Sequence, residues 1–182
     1  GTGIGAGIIT GCRLLRGANG FAGEPGHMIV DLDGPPCPCG KRGCWEQLAS
    51  GEALGRFAQE AAAAGRLRAV LAACGAEPAA IRGEDVTRAV RAGDAEAHVV
   101  LEQWSGWVAL GLANLVNILD PAVVVLGGGL VDDADLYLPA VRARYEVLVM
   151  AGDQRPRLSI VAAALGGSAG AIGAAVLAAG QT

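Results

Sequence analysis

Residues 120–129, which read Asp-Pro-Ala-Val-Val-Val-Leu-Gly-Gly-Gly, contain a short β-branched run bounded by a proline and by three glycines. A continuous apolar run of this kind predicts a buried parallel strand, here residues 123–126, that ends in a tight turn. A long helical pattern over residues 94–119 precedes the strand, and a second over residues 134–150 follows it. A strand placed between two helices indicates an α/β fold.

The rest of the sequence supports the same fold class, because extended segments alternate with helical ones. Residues 4–15 predict a short hairpin with its turn at Thr10-Gly11, since apolar residues flank that glycine. We also predict strands at 27–30 and 157–162, and helices at 46–48, 52–64, 67–74, 83–92 and from Gly166-Gly167 to residue 179.

The composition describes a globular chain without a surface for nucleic acid. The 182 residues carry a formal net charge of −4, with 52% apolar and 18% charged residues, which is too apolar for a disordered chain. No cluster of Lys and Arg could neutralise a row of phosphates. The uncharged stretch 159–180 is interrupted by Gly166-Gly167-Ser168, so we expect no membrane span. The first residues lack the pattern of a signal peptide, and we expect a cytoplasmic protein.

The most specific chemical signal is one histidine and three cysteines in a segment rich in Pro and Gly: His27, Cys37, Cys39 and Cys44. Three thiolates and an imidazole make a complete tetrahedral ligand set for structural Zn²⁺. The alternative is buried apolar cysteines beside a core histidine, which rarely cluster in such a loop. The odd total of five cysteines also fits a reducing compartment better than a disulfide framework. We interpret Cys12 and Cys74 as core residues.

Two carboxylates flank the predicted zinc ligands. Glu24 precedes His27 by three residues, and Glu46 follows Cys44 by two. A sugar is held by donors and acceptors matched to its hydroxyls, and a metal-bound histidine presents its other ring N–H in a fixed direction. We therefore predict that Glu24, His27 and Glu46 bind a sugar. The alternative for either glutamate alone is a solvated surface carboxylate.

Two glycine-rich segments predict contacts with a nucleotide. Thr2 and Gly3 offer a hydroxyl and backbone N–H groups to a phosphate. Gly127, Gly128 and Gly129 end a predicted strand, which is where nucleotides commonly bind in open α/β sheets. The alternative for each segment is a close-packing device or a tight connection without a ligand.

The order and spacing of these motifs resemble the ROK family of repressors, open reading frames and sugar kinases. The resemblance rests on Gly-Ile-Gly-Ala-Gly-Ile at 3–8, Gly-Glu-Pro-Gly-His at 23–27 and Cys-Pro-Cys-Gly-Lys-Arg-Gly-Cys-Trp-Glu at 37–46. It continues through residues 110–117, 123–129 and 166–175 and so covers essentially the whole chain.

The resemblance implies an actin-like or ribonuclease-H-like ATPase fold, in which two α/β domains close on ATP and a sugar, commonly within a dimer. By matching motif, it assigns the zinc ligands to His27, Cys37, Cys39 and Cys44. It assigns the sugar contacts to Glu24, His27 and Glu46, the second phosphate motif to Thr2 and Gly3, and the adenosine motif to Gly127, Gly128 and Gly129.

The activity implied is the phosphorylation of a hexose, foremost glucose to glucose 6-phosphate, by ATP with Mg²⁺. The family's Asp-x-Gly-Gly-Thr phosphate loop and its catalytic aspartate do not occur in this sequence, so no catalytic residue is assigned here. We expect both in a domain ahead of residue 1. Residues 1–165 would then form the sugar-binding and zinc-bearing domain of a two-domain kinase, and the helix in residues 166–180 would pack on the other domain. The isolated chain should be inactive.

Other functions remain open at this stage. Kinases of fructose, N-acetylmannosamine or allose share these motifs. A transcriptional repressor of the same family would keep the zinc ligands and place a helix-turn-helix before a sugar-sensing domain. A zinc-stabilised interaction module without a small-molecule site is a third interpretation. The sugar, the phosphoryl donor, the oligomer size and the residues ahead of residue 1 are not determined by this sequence.

Overall fold

The computed structural model describes residues 2–180, which form a helical core flanked by two small sheets. The strands are β1 (Ile9–Thr10), β2 (Arg13–Leu14), β3 (Val123–Leu126) and β4 (Ser159–Ala162). The α-helices are α1 (Glu46–Ala49), α2 (Gly51–Ala63), α3 (Arg68–Ala73), α4 (Gly83–Arg91), α5 (Ala95–Leu119), α6 (Ala134–Leu148) and α7 (Ala169–Ala178). Short 3₁₀ turns lie at Pro25–His27, Pro78–Ala80, Val131–Asp133 and Gly166–Ser168. The predicted helices are confirmed, each within a few residues.

Helix α5 is the centre of the core. It begins where the Asp94 carboxylate accepts hydrogen bonds from the backbone N–H groups of Glu96 and Ala97 at 2.9 and 3.0 Å. Helices α1, α2, α4 and α6 all pack against it. By length and composition α5 could cross a bilayer, but its most apolar stretch is 56% buried inside the protein, as in the core helix of a globular domain.

A close approach between Trp45 and α5 fixes α1 on the core. A Cβ atom at Gly111 would lie 1.9 Å from Cε2 of the Trp45 indole, so only glycine leaves room for the ring. The indole N–H of Trp45 donates to the carbonyl of Trp107 at 2.7 Å. Because Trp45 comes directly after the cysteine-rich loop, this contact anchors the loop to the central helix.

The predicted parallel strand is confirmed, but its burial is not. Strands β3 and β4 pair in parallel, with Val123 opposite Ser159 and Leu126 opposite Ala162. Val123 and Val125 are 48% and 57% exposed, and Val124 and Leu126 are only half-buried, so the prediction of a buried strand is wrong. The reason is that α6 covers one face of the pair, while no layer within residues 2–180 covers the other.

Near the N-terminus, the structure differs from the sequence-based prediction in three places. Residues 27–30 are not a strand, because Pro25 starts a 3₁₀ turn in which the Met28 N–H bonds to the Pro25 carbonyl, and only Ile29 makes a bridge, to Cys44. The predicted hairpin is present, but its turn lies at Gly11 and Cys12, both with positive φ. This turn exposes Cys12, which is therefore not a core residue, whereas Cys74 is half-buried at the edge of the core.

Candidate functional site

The cysteine-rich loop folds through close backbone approaches that only glycine allows. Within it, the Cys37 N–H donates to the Lys41 carbonyl at 2.8 Å, which closes a tight turn through Gly40 at a φ of 86°. Gly43 has a φ of 64°, and a Cβ atom there would lie 1.5 Å from the Asp31 carbonyl oxygen. These turns bring Cys37 and Cys39, which precede the turn at Gly40, to the same side of the loop as Cys44, which follows Gly43.

The loop gathers the four predicted metal ligands. One ligand atom from each of His27, Cys37, Cys39 and Cys44 lies within 4.8 Å of the other three. The Cys39 and Cys44 sulfurs are 3.6 Å apart, and the Cys37 sulfur is 3.8 Å from Nδ1 of His27. Three sulfurs and one imidazole nitrogen fit the tetrahedral set that structural Zn²⁺ prefers.

The three thiols have different acidities because their surroundings differ. Burial raises the pKa of Cys44 to about 12 and also raises the pKa of Cys37. A hydrogen bond from the backbone N–H of Lys41 lowers the pKa of Cys39. A divalent cation binds thiolates, so it would compete with protons for the two buried sulfurs and hold all three sulfurs ionised.

Glu46 connects the cysteine-rich loop to the glycine-rich N-terminal segment. Its Oε1 lies 3.3 Å from the Cys37 sulfur and 3.8 Å from Nδ1 of His27. Its Oε2 accepts the backbone N–H of Ile4 at 3.3 Å, and a Cβ atom at Gly3 would lie only 2.6 Å from that oxygen. The Glu46 side chain is 15% exposed, so it is held between the two segments rather than solvated.

His27 and Glu24 occupy the 3₁₀ turn that faces this carboxylate. The His27 side chain is 41% exposed, and its Nδ1 lies on the side of the cysteines and Glu46. The Glu24 carbonyl accepts the His27 N–H at 3.2 Å, and its side chain is exposed. Within the described part of the chain, the structure therefore places His27 beside Glu46, and the exposed Glu24 stands at the start of the same turn.

The two glycine-rich segments face each other across a cleft at the carboxyl end of β3. A cavity of about 300 Å³ is lined by Gly3 on one side and by Gly127, Gly128 and Gly129 on the other. Thr2 lines an adjoining cavity of about 350 Å³, which also includes Gly129. Ligands of open α/β sheets commonly bind beyond the carboxyl ends of the strands, and this cleft lies at such an end.

Gln47 is a residue of this site that the sequence analysis did not identify. Its side-chain amide lies 3.8 Å from the Cys37 sulfur and 3.4 Å from Oε1 of Glu46, and it donates toward both. Arg56 in turn donates to the Gln47 backbone carbonyl. The only signal in the sequence was its place next to Glu46, which does not reveal the direction of the side chain.

The described residues thus form an α/β domain in which a Cys₃His cluster suited to a metal ion lies beside a glycine-lined cleft. The sequence profile of the ROK family matches residues 1–181, and the chain belongs to this family. Its fold is part of the actin-like ATPase fold of the ROK sugar kinases.

The chain is similar to glucokinases and to a repressor of the same family. The chain is 44% identical to a glucokinase of Streptomyces coelicolor over 180 residues, which cover 98% of this chain and 57% of that protein. A crystal structure of a ROK family glucokinase from Streptomyces griseus, in complex with glucose and AMPPNP, is 41% identical with a TM-score of 0.91, over 97% of this chain and 57% of that one. A xylose repressor of Bacillus subtilis is 31% identical over 78% of this chain and 33% of the repressor. The chain thus spans a little over half the length of the glucokinases it matches.

Proposed function

We propose that this chain is the sugar-orienting and nucleotide-orienting part of an ATP-dependent hexose kinase that acts foremost on glucose. The observation that carries the proposal is the position of Glu46, which contacts both the cysteine-rich loop and the N-terminal segment that forms one wall of the glycine-lined cleft. A carboxylate in that position can hold a sugar beside a nucleotide. The similar glucokinase from S. griseus was crystallised with glucose and AMPPNP, which supports this pair of ligands.

The chain's own residues would act by positioning. Phosphoryl transfer depends mainly on alignment of the reactants and on neutralisation of charge. Glu24 and Glu46 accept hydrogen bonds from sugar hydroxyls, and His27 presents its outer ring nitrogen to the sugar. Gly127 to Gly129 allow close approach of the adenosine, while Thr2 and Gly3 offer donors to the phosphates. The base that accepts the sugar proton and the first phosphate loop would be supplied outside these residues.

Two metals belong to the proposal. Zn²⁺ would be held by His27, Cys37, Cys39 and Cys44, where it fixes the loop and the orientation of the imidazole. Mg²⁺ would accompany ATP, and its chemistry is the neutralisation of phosphate charge. We also propose a cytoplasmic homodimer without membrane or nucleic-acid contacts through this chain, with sedimentation velocity as the check on the dimer.

The test is a coupled kinase assay on the intact protein with ATP and a panel of glucose, fructose, N-acetylmannosamine and allose. We expect the highest kcat/KM for glucose, because the chain resembles glucokinases along nearly its whole length. Phosphorylation of another hexose with a higher kcat/KM would correct the substrate but keep the reaction. An intact protein that binds sugar and phosphorylates none of the four would contradict the kinase proposal.

A sugar-responsive repressor is the second candidate. Identity of 31% to a xylose repressor over 78% of this chain favours it. Both functions use a sugar site, but only the kinase needs the nucleotide cleft, and the glycines of that cleft are all present here. Sugar-dependent binding of the intact protein to operator DNA, without ATP turnover, would show that it is a repressor rather than a kinase.

We further propose that α7 packs on a domain other than the one formed by residues 1–165. None of the residues of α7 is buried, and its apolar side chains Ile172, Val176 and Leu177 are all substantially exposed. In the isolated 182-residue chain, amides of residues 169–177 should therefore exchange with deuterium far faster than those in the middle of α5. Equal protection in a verified monomer would place α7 in this domain's own core.

A further inference from the structure

A cavity away from the glycine-lined cleft lies beside α6 and β4. It has a volume of about 710 Å³ and lies between α6, the segment before β4 and the first residues of β4. A second cavity of about 230 Å³ adjoins it beside Pro121, and Tyr145 and Arg155 line both. The smaller cavity lies just before the amino end of β3, and the larger one extends from the segment before β4 along three of the four residues of that strand.

Two buried donors in this region have no partner among residues 2–180. The hydroxyl of Tyr145 and the Nη1 group of Arg155 are shielded from solvent and make no hydrogen bond there. The Tyr145 side chain is well fixed, since the residue is only 4% exposed. Buried donors without a partner are costly and therefore rare, so a pair of them at one cavity indicates an acceptor that binds there.

The charges around the cavity favour an anion. Arg142, Arg155 and Arg157 line it, and the one carboxylate in its wall is that of Glu146, which pairs with Arg157 at 3.2 Å. Asp120, a second carboxylate that lines the adjoining smaller cavity, pairs with Nη2 of Arg155, and the buried Nη1 has no partner among residues 2–180.

Arg142 adds a positive charge that no carboxylate in the described part of the chain offsets. Its Nε donates to the backbone carbonyl of Ile160 at 3.0 Å, and its Nη2 donates to the same oxygen. Burial raises the pKa of Tyr145, so its hydroxyl stays protonated and remains a donor at neutral pH. The region thus combines excess positive charge with two unpartnered donors that are buried in the cavity wall, so an acceptor reaches them only when that wall shifts.

We propose that this cavity binds a phosphate group, either as inorganic phosphate or as a phosphomonoester, through the Tyr145 hydroxyl and the Arg155 guanidinium. A phosphate has several acceptor oxygens that point in different directions, which suits an arginine fork and a hydroxyl approaching from separate elements. The volume leaves room for the rest of an ester beside the phosphate. The site is separate from the cleft proposed for nucleotide and sugar.

The test is calorimetric titration of the intact protein with inorganic phosphate and, separately, with glycerol phosphate. The glycine-lined cleft is first saturated with AMPPNP, and chloride replaces phosphate in a matched blank. We expect saturable binding that Tyr145→Phe and Arg155→Gln each weaken about tenfold or more, as for loss of a hydrogen bond to a charged group. Arg144→Gln is the control, because Arg144 is exposed on the same helix and lines neither cavity.

The two probes distinguish the sources of the phosphate group. Tighter binding of glycerol phosphate would identify a phosphorylated metabolite, and equal binding would identify free phosphate. Absence of saturable binding in the wild type would overturn the proposal and leave ordered water as the partner of both donors. Tyr145→Phe keeps the buried ring, so unchanged affinity in this variant, with an unchanged melting temperature, would overturn it as well. The outcome does not depend on kinase activity, since each variant is compared with wild type in the same titration.

Discussion

Replacement of Cys39 by serine is expected to remove the bound zinc from the chain and to weaken sugar binding at the same time. Cys39 supplies one of four ligand atoms gathered within 4.8 Å, and a hydroxyl is a much poorer ligand for Zn²⁺ than a thiolate. Zinc binding to structural sites contributes roughly 10–16 kcal/mol in small zinc domains, so much of the loop's order would depend on it.

The substitution tests the metal rather than the packing. Cys39 is exposed, unlike Cys37 and Cys44, so exchanging its sulfur for oxygen opens no cavity in the core. Disorder of the loop would also release Glu46, which touches the Cys37 sulfur and the Ile4 N–H. We therefore expect loss of sugar affinity although Cys39 does not reach the sugar.

Elemental analysis of protein purified without added metal provides the measurement, with glucose titration alongside it. Cys12→Ser is the matched control, because Cys12 is equally exposed but lies in the hairpin turn and belongs to no ligand cluster. Wild-type protein that is folded yet free of metal would contradict the zinc assignment. Retention of zinc by the Cys39 variant would show that this thiol is not a ligand.

Replacement of Glu46 or Glu24 by glutamine in the intact protein is expected to lower kcat/KM for the sugar by about tenfold to a hundredfold. Each change removes an ionised acceptor from the sugar hydroxyls, an interaction worth roughly 1.5–3 kcal/mol. The KM for ATP should change much less, because neither carboxylate is among the residues that line the cleft, and Glu46 reaches only the backbone N–H of Ile4 in its wall.

The two variants differ in what else they disturb. Glu46 also contacts Cys37 and Ile4, so its variant can affect the loop, whereas the exposed Glu24 side chain makes no hydrogen bond among the described residues. Zinc content measured on both variants separates loss of sugar contacts from loosening of the loop. Glu77→Gln is the control, since Glu77 is an exposed carboxylate far along the chain whose side chain makes no hydrogen bond or ion pair among residues 2–180. Unchanged sugar affinity and kcat/KM in both variants would refute the assignment of these carboxylates.

Several features of this protein follow from the sequence because they depend on neighbours along the chain. The helix from Ala95 to Leu119 was predicted from its acidic start, its apolar pattern and the Asp120-Pro121 end, which all act within a turn or two. The grouping of His27 with the three cysteines was equally local, since short spacings through Pro and Gly leave few ways to arrange the loop. The strand Val123–Leu126 was likewise predicted from its β-branched run between two helical patterns, whereas its pairing with β4 is seen only in the structure.

Other features depended on contacts between distant segments, and only the tertiary structure decided them. The Trp45 ring needs a glycine sixty-six positions later, at Gly111, and no local pattern connects the two residues. The exposure of Val125 depends on which layers cover the sheet, although its sequence context is that of a buried strand. Tyr145 and Arg155 likewise form a donor pair only because α6 and the segment after it fold onto the start of β4. Periodicity and spacing constrain the backbone locally, whereas side-chain partners are chosen by packing across the whole chain.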